Sequence, residues 1–429
     1  MKLLVIGSGG REHTIVWALH HTATTPLDIY CAPGNAGIGR VAKLLPVPVL
    51  DHNALARFAA SEQIDLTVVG PEAPLAAGIV DLFEAQGLPV VGPSQAASRL
   101  EASKVFAKEF MARHRIPTAM HRTAASAEEA IKILKSGVFA AAGGPIVIKA
   151  DGLAAGKGVV VAASRAEAEK AVADLMVNHV AGAEAAERVI IEEALYGREA
   201  SVLLFADGQD YVLMPPARDH KRIGDNDTGP NTGGMGTVTD DSLVPPELLQ
   251  RVVGEIVGPT LAAAREEGFP FRGVLFLGLM LTDEGPKLLE YNVRFGDPET
   301  QAILVRLKTD LLEIFEAMRT GTLGRVSVEW APGASACVVA ANRGYPGKYD
   351  AGAVISGLEQ AETEAVKVFH AGTSQSASGE ILATGGRVLG VTAAAHNLSE
   401  ALRLCYQSLG KIHWDGMQYR HDIGRSANT

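Results

Sequence analysis

The sequence predicts an α/β chain that opens in a parallel sheet, and three observations point there. Short apolar runs recur over the first hundred residues, each ending in a glycine-rich or Gly-Pro turn: "LLVIGSGG", "DLTVVGPE" and "LPVVGPS". Helical stretches such as "NALARFAASEQ" and "AAGIVDLFEAQG" separate them. Strands alternating with helices build a parallel sheet, with ligands expected at the carboxyl ends of its strands. Those ends carry the polar or glycine-rich turns "GSGGRE", "APGNAG" and "GPEAPL".

Taken in order, "KLLVIGSGGREH" reads as a buried strand, a tight turn and a helix over about 14–20. Near residue 100 the texture changes. "SKVFAKEFMARH" is an amphipathic helix, and Ser126 with Glu129, then Ser164 with Glu167, are capping boxes that open two more. "GPIVIKADGLAAGKGVVVAAS" reads as strand, glycine loop, strand, followed by strands at "RVIIEEAL" and "EASVLLF". Residues 215–236, "PPARDHKRIGDNDTGPNTGGMG", form a long polar loop, and such loops are usually functional or disordered. The helix "VRLKTDLLEIFEAMRTG" closes this region. "ASACVVAANRGYPG", "GGRVLGVTA" and a last helix near 397–410 suggest a smaller α+β domain. A chain of 429 residues has room for about three domains.

Composition narrows the function. With a formal charge of −10, nucleic acid is a poor partner, because a phosphate backbone wants a basic face. Cys31, Cys337 and Cys405 are far apart and show no zinc spacing, so they read as core residues of a cytoplasmic protein. The four apolar residues near the start are too few for a signal peptide, and "GVLFLGLML" is half a membrane span. No membrane partner is expected.

The chemistry concentrates at "LLEYNVRFGDPETQ". Glu290, Asn292 and Arg294 recur at period 2, so on a strand they share one face. Glu290 and Asn292 offer hard oxygens of the kind Mg²⁺ prefers, and Arg294 can grip a carboxylate or phosphoryl oxygen bidentately. A structural ion-pair cluster is the alternative. Asp297 and Glu299 follow on the loop. Lys149 ends the apolar strand "PIVIK", where an inward ammonium needs an anion. "GLAAGKG" at 152–158 is one residue short of a Walker A loop, with Gly158 in place of the metal-binding hydroxyl and a strand on either side. Such a hairpin tip can still close over a polyphosphate, using backbone amides and Lys157. Glu192 and Glu193 must face opposite ways, one toward a cleft and one toward solvent. The opening "GSGGRE" fails the dinucleotide fingerprint, because Glu12 replaces its last glycine and "IYCAPGN" lacks the acidic residue. It suits a sugar phosphate, or is a plain tight turn.

These residues carry a resemblance. The chain resembles the ATP-grasp ligases, and within them the glycinamide ribonucleotide synthetase family, from "IGSGGREH" through "VVGPEAPL", "KADGLAAGKGV", "GDNDTGPNTGGMG", "NVRFGDPETQ" and "YPGKY" to "WDGMQYRHDIG". The resemblance implies a Rossmann-like parallel α/β domain over 1–101, an ATP-grasp fold over 102–325 with a mobile subdomain at about 122–193, and a small α+β domain over 326–429. It implies a monofunctional, cytoplasmic enzyme, a monomer or weak dimer. The implied reaction joins glycine to 5-phospho-β-D-ribosylamine with ATP and Mg²⁺ or Mn²⁺, through glycyl phosphate, in purine synthesis.

It also assigns roles. Glu290 and Asn292 would hold the metal. Lys104 and Lys149 would contact ATP phosphates, with Lys108 able to exchange roles with Lys104. Gly152, Gly156, Lys157 and Gly158 would form the flap. The chain around Glu192, Glu193 and Leu195 would hold adenine, and Glu199 the ribose. Arg294 would orient glycine or the transferred phosphoryl group. The ribosylamine would lie against Gly9, Gly10, Arg11, Glu12, Asn35 and Glu72, with Asp219 and Asn231 on the long loop and Arg387 gripping phosphate. Two departures stand out: the strand before Glu290 carries no second metal carboxylate, and Gln95 stands where relatives have lysine. Other ATP-grasp ligases or carboxylases are the rival reading, opposed by the "GPNTGGMG" loop and the C-terminal block. A nucleotide sensor or an oxidoreductase is opposed by the broken fingerprint.

Overall fold

The computed structural model describes residues 1–139, 145–154, 158–180 and 182–425. The first hundred residues form the expected parallel sheet. Its order puts Lys43–Leu44 at one edge, then Asp28–Pro33, Lys2–Gly7, Leu66–Val69 and Val90–Val91. The chain reverses direction of build between Lys2–Gly7 and Leu66–Val69, which opens a crevice at their carboxyl ends. The first helix spans Gly10–Thr22, four residues earlier than its periodicity suggests. The cause is local: the Glu12 carboxylate folds back and accepts from Gly9 N at 2.6 Å, occupying a donor that the helix start leaves open.

A four-stranded antiparallel sheet follows, ordered His121–Ala124, Val189–Glu193, Ile146–Ala150, Val159–Ala162. Helices Ala127–Lys135 and Arg165–Met176 cover it and enclose a separate core of Ile148, Ile191, Leu134 and Leu175. Both capping boxes form. Ser126 accepts from Glu129 N and Ser164 from Glu167 N, while each glutamate accepts from the amide just before the cap, Ala125 and Ala163.

The largest sheet has ten strands. Gly285–Asn292, Arg272–Thr282 and Arg198–Asp207 lie toward one end, and Ala334–Asn342, Arg387–Ala395 and Val366–His370 toward the other. The connection runs through Ala217–Asp219 and Gly236–Thr239, strands at the two ends of the supposed long loop. Between them Arg222–Gly224 pairs with Thr228–Asn231. The segment 215–236 is therefore structured, a correction to its reading as a loop: its end strands pair with Arg198–Asp207 and Ala334–Asn342, outside the segment, and its middle forms a polar hairpin with no apolar alternation to announce it. The later helix is also shorter than its periodicity suggests. It spans Leu311–Thr320 because Asp310 caps Leu312 N and Gly321 ends it at φ 71°. All three cysteines are buried. Among the described residues no helix is long and apolar enough to cross a membrane.

The first turn depends on close packing. Gly70 ends Leu66–Val69, and a Cβ there would lie 2.1 Å from Glu12 Oε1. Gly70→Ala is expected to cost about 1–3 kcal/mol by displacing the Glu12 cap. Urea unfolding of the variant beside the parent measures it.

Candidate active site

The strand Gly285–Asn292 delivers the charged face as its period requires. Glu290, Asn292 and Arg294 are half-buried, whereas Tyr291 and Val293 between them are buried in the core. Arg294 Nη2 donates to Asn292 Oδ1 at 3.0 Å, so the two side chains do converge. Opposite Glu290 on the neighbouring strand is Gly278, where a Cβ would lie 3.2 Å from Glu290 Cγ. The glycine there makes room for the Glu290 side chain.

Two carboxylates fix Arg294. Its Nε lies 3.2 Å from Glu72 Oε2, at the turn after Leu66–Val69, and its Nη2 lies 2.8 Å from Glu101 Oε1, on helix Gln95–Ala102. Glu101 also accepts from Val293 N at 2.7 Å. Arg11 Nη1 approaches Glu72 at 3.9 Å. Burial alone would raise the Glu72 carboxyl, but Arg294 and Arg11 outweigh it and hold the pKa at about 2. Glu290 follows the same logic. Enclosure would raise it, and Lys221, Lys149, Lys104 and Arg294 together keep it below the usual carboxylate range. An ionised carboxylate beside an amide oxygen fits a hard divalent cation, and no cluster of three or more His, Cys, Asp or Glu side chains exists among the described residues to offer another site.

Lys149 finds its anion inside the protein. Its ammonium lies 3.0 Å from Glu192 Oε2, and that of Lys108 lies 3.0 Å from Oε1. Oε1 has no aligned hydrogen-bond donor, so its pairing with Lys108 is coulombic. Lys108 also donates to Thr118 Oγ1 at 2.6 Å, and Lys149 to Leu289 O at 3.3 Å. Burial, with Lys149 nearby, lowers Lys108 to about 8 despite Glu192. Lys104 is less enclosed and donates to Gly152 O at 3.3 Å. Of the two glutamates, Glu192 points inward and Glu193 accepts from Met120 N at 2.8 Å. Leu195 lies in the short link to Arg198–Asp207, and Glu199, exposed, pairs with Lys221 at 2.9 Å.

Asp151 was not singled out by its sequence context, yet it joins the glycine loop to the helix Lys104–Arg113. Its Oδ1 accepts from Ser103 Oγ and Val105 N, and its Oδ2 from Arg188. Gly152 N donates to Ala185 O, and Gly158 O accepts from Ala150 N. Gly156 and Lys157 lie outside the described residues.

At the carboxyl ends of the parallel sheet a cavity of about 390 Å³ opens, lined by Ser8, Gly9, Gly34, Asn35, Asp297, Thr373, Thr384 and Arg387, among others. Of the residues expected against the ribosylamine, Gly9, Asn35 and Arg387 line it. Gly10, Arg11, Glu12 and Glu72 do not; Arg11 and Glu12 are buried and pair with each other at 2.5 Å. Asn35 builds the wall, donating to Ser8 O and His370 O and accepting from Gly37 N and Ile38 N. Arg387 holds Gly233 O and Asp297 O, and Nη2 lies 3.4 Å from Asp297 Oδ2. Asp219 lies under Gly234, its carboxyl pushed up by burial and then by Glu299. Asn231 ends the strand Thr228–Asn231, opposite Arg222. Gln95 sits apart, donating to Ala76 O.

Comparison with known proteins matches this architecture along nearly its whole length. Models of the phosphoribosylglycinamide synthetase N domain, ATP-grasp (A) domain and C domain match residues 1–101, 102–300 and 335–426. The chain belongs to the phosphoribosylglycinamide synthetase family. It is 47% identical to a phosphoribosylamine–glycine ligase of Vibrio vulnificus, covering 100% of this chain and 98% of that one. It is also 47% identical to one of Agrobacterium fabrum, covering 100% and 99%. The crystal structure of a Thermotoga maritima phosphoribosylamine–glycine ligase aligns at a TM-score of 0.84 and 33% identity, over 98% of this chain and 100% of that one. A biotin carboxylase domain from Hydrogenobacter thermophilus, solved with MgADP, shares the fold at TM-score 0.73 and 17% identity.

Glu72 predicts a pH dependence. Its folded pKa lies below the ordinary glutamate value of 4.5, so its stabilising contribution is full above that value and is lost as pH falls toward 2. Glu72→Gln is expected to lose less stability than the parent between those limits. Thermal melts of both across that range, with the difference taken at each pH, check it.

Proposed function

We propose that this ATP-grasp family member is a cytoplasmic, ATP-dependent ligase that joins glycine to 5-phospho-β-D-ribosylamine. The products are glycinamide ribonucleotide, ADP and phosphate, in the second step of de novo purine synthesis. The observation that carries the reading is the strand end itself: an ionised Glu290 beside Asn292, ringed by four cations, next to an arginine fixed by two carboxylates. Family membership over the whole chain supports it.

The chemistry asks for charge control. The glycine carboxylate must attack the γ-phosphate of a polyanion, against roughly 4 kcal/mol of repulsion per pair of unit charges at 4 Å and an effective dielectric of 20. Glu290 and Asn292 would hold a divalent ion, Mg²⁺ or Mn²⁺, which when bound screens the triphosphate. Lys104 and Lys149 take the phosphates. The enclosure of Lys108 between Glu192 and Thr118 favours Lys104 over it for this role. Arg294, unable to rotate freely, orients the glycine carboxylate or the transferred phosphoryl group. Adenine lies along the backbone of Glu192 to Leu195, with Glu199 toward the ribose. The four-stranded unit with its own core moves as the cover, and its loop at 152–158 keeps water from the acyl phosphate. The ribosylamine enters the cavity beside Gly9, Asn35 and Arg387. Its amine then displaces phosphate through a tetrahedral intermediate.

A coupled ADP-release assay with each substrate omitted in turn tests the reaction. Release is expected only when ATP, glycine and ribosylamine are all present, and release driven by bicarbonate or formate instead would overturn the reading. Glu290→Ala is expected to fold and to lose turnover by about 10²-fold or more. Full glycine-dependent turnover in that variant would remove the metal assignment.

A further inference from the structure

The block "WDGMQYRHDIG" has no role in the reaction just described, yet its central arginine is among the most enclosed charges in the molecule. The Arg420 side chain is 1% exposed. Nε and Nη2 donate to the two oxygens of Asp422 at 2.8 Å, while Nη1 donates to Asp227 Oδ1 at 2.7 Å and to Arg222 O at 3.1 Å. Around this fork the two chain segments are stitched together. Asn226 N donates to Asp422 Oδ2 and His421 N to Asp225 Oδ1, both at 2.7 Å. His220 receives Gly424 N on Nε2 at 3.1 Å, while its Nδ1 carries a proton to Gly236 O.

The hairpin held in this way needs outside support. Asn226 and Asp227 both have positive φ, 56° and 53°, at its tip. Lys221 stands just before it, pairs with Glu199 at 2.9 Å, and has its carbonyl held by Thr232 N and Oγ1. The far end of the segment is secured separately, with Gly233 N donating to Tyr345 Oη and Arg387 Nη1 donating to Gly233 O. One guanidinium can satisfy a carboxylate along one edge and a second carboxylate plus a carbonyl along the other, which an ammonium cannot.

We propose that Arg420 is a positioning residue. Through Asp227 and the Arg222 carbonyl it sets the 222–231 hairpin, and with it Lys221, against Glu199 on the nucleotide side of the site, touching no substrate itself. The assignment rests on the reading above for which side binds ATP; the placement of the hairpin does not.

The test uses the full chain with Arg420→Gln, Arg420→Lys and Asp227→Asn, measured by steady-state kinetics for each substrate and by amide hydrogen exchange. Asp227 is about half exposed, 47%, so its variant folds even if Arg420→Gln does not. The expected result is faster exchange at 222–231, kcat/KM for ATP lowered about tenfold, and KM for ribosylamine within about twofold of the parent. Arg420→Lys should fall between parent and Arg420→Gln. Unchanged exchange at 222–231 in a folded variant overturns the placement whatever reaction the enzyme runs. Faster exchange with parental constants, or with an equal loss for all three substrates, overturns the positioning role.

Discussion

The arrangement depends on Arg294 being caught between Glu72 and Glu101. Those carboxylates come from the parallel sheet's turn and from the helix that leaves it, while the arginine comes from the edge of the ten-stranded sheet. One guanidinium therefore joins the two halves of the cleft. Buried charges of this kind add little net stability, because desolvation offsets most of the attraction. What they supply is register: with Nε on Glu72, Nη2 between Glu101 and Asn292, and Nη1 on Phe295 O, the planar fork has one orientation.

The same pattern of shared charges recurs around Glu192. Glu192 serves two lysines, so the trio carries a net positive charge in an enclosed setting. Burial works against that charge, which is why Lys108 is pulled down to about 8. An anion entering beside the trio would relieve the imbalance, the role the proposed reaction gives to the triphosphate. Glu290 belongs to this balance as well, since Lys221, Lys149, Lys104 and Arg294 keep it ionised.

Three blocks that are distant in the chain complete each other. Asp151 ties the glycine loop to the helix carrying Lys104 and Lys108. Tyr345 and Arg387 hold one end of the 215–236 segment, and Arg420 holds the hairpin in its middle. The C-terminal strands are also hydrogen-bonded into the sheet that carries Glu290, by way of Gly236–Thr239.

The sequence alone determined those features that depend on local periodicity and side-chain type. The parallel sheet, both serine caps and the shared face of Glu290, Asn292 and Arg294 follow from apolar spacing and from the two-residue repeat of a strand. The resemblance of its motifs pointed to the family. Only the tertiary structure decided partners. Glu12 proved to be the cap of its own helix, Lys149 found Glu192, Glu101 took Arg294, and the polar segment at 215–236 became strands. The Lys149–Glu192 and Glu101–Arg294 pairs, and the pairing of Gly236–Thr239 with Ala334–Asn342, join residues tens to hundreds of positions apart, whereas the Glu12 cap and the hairpin at 222–231 are local. A carboxylate's neighbours at that range are set by how sheets stack and where chains cross, and no repeat in the chain encodes it.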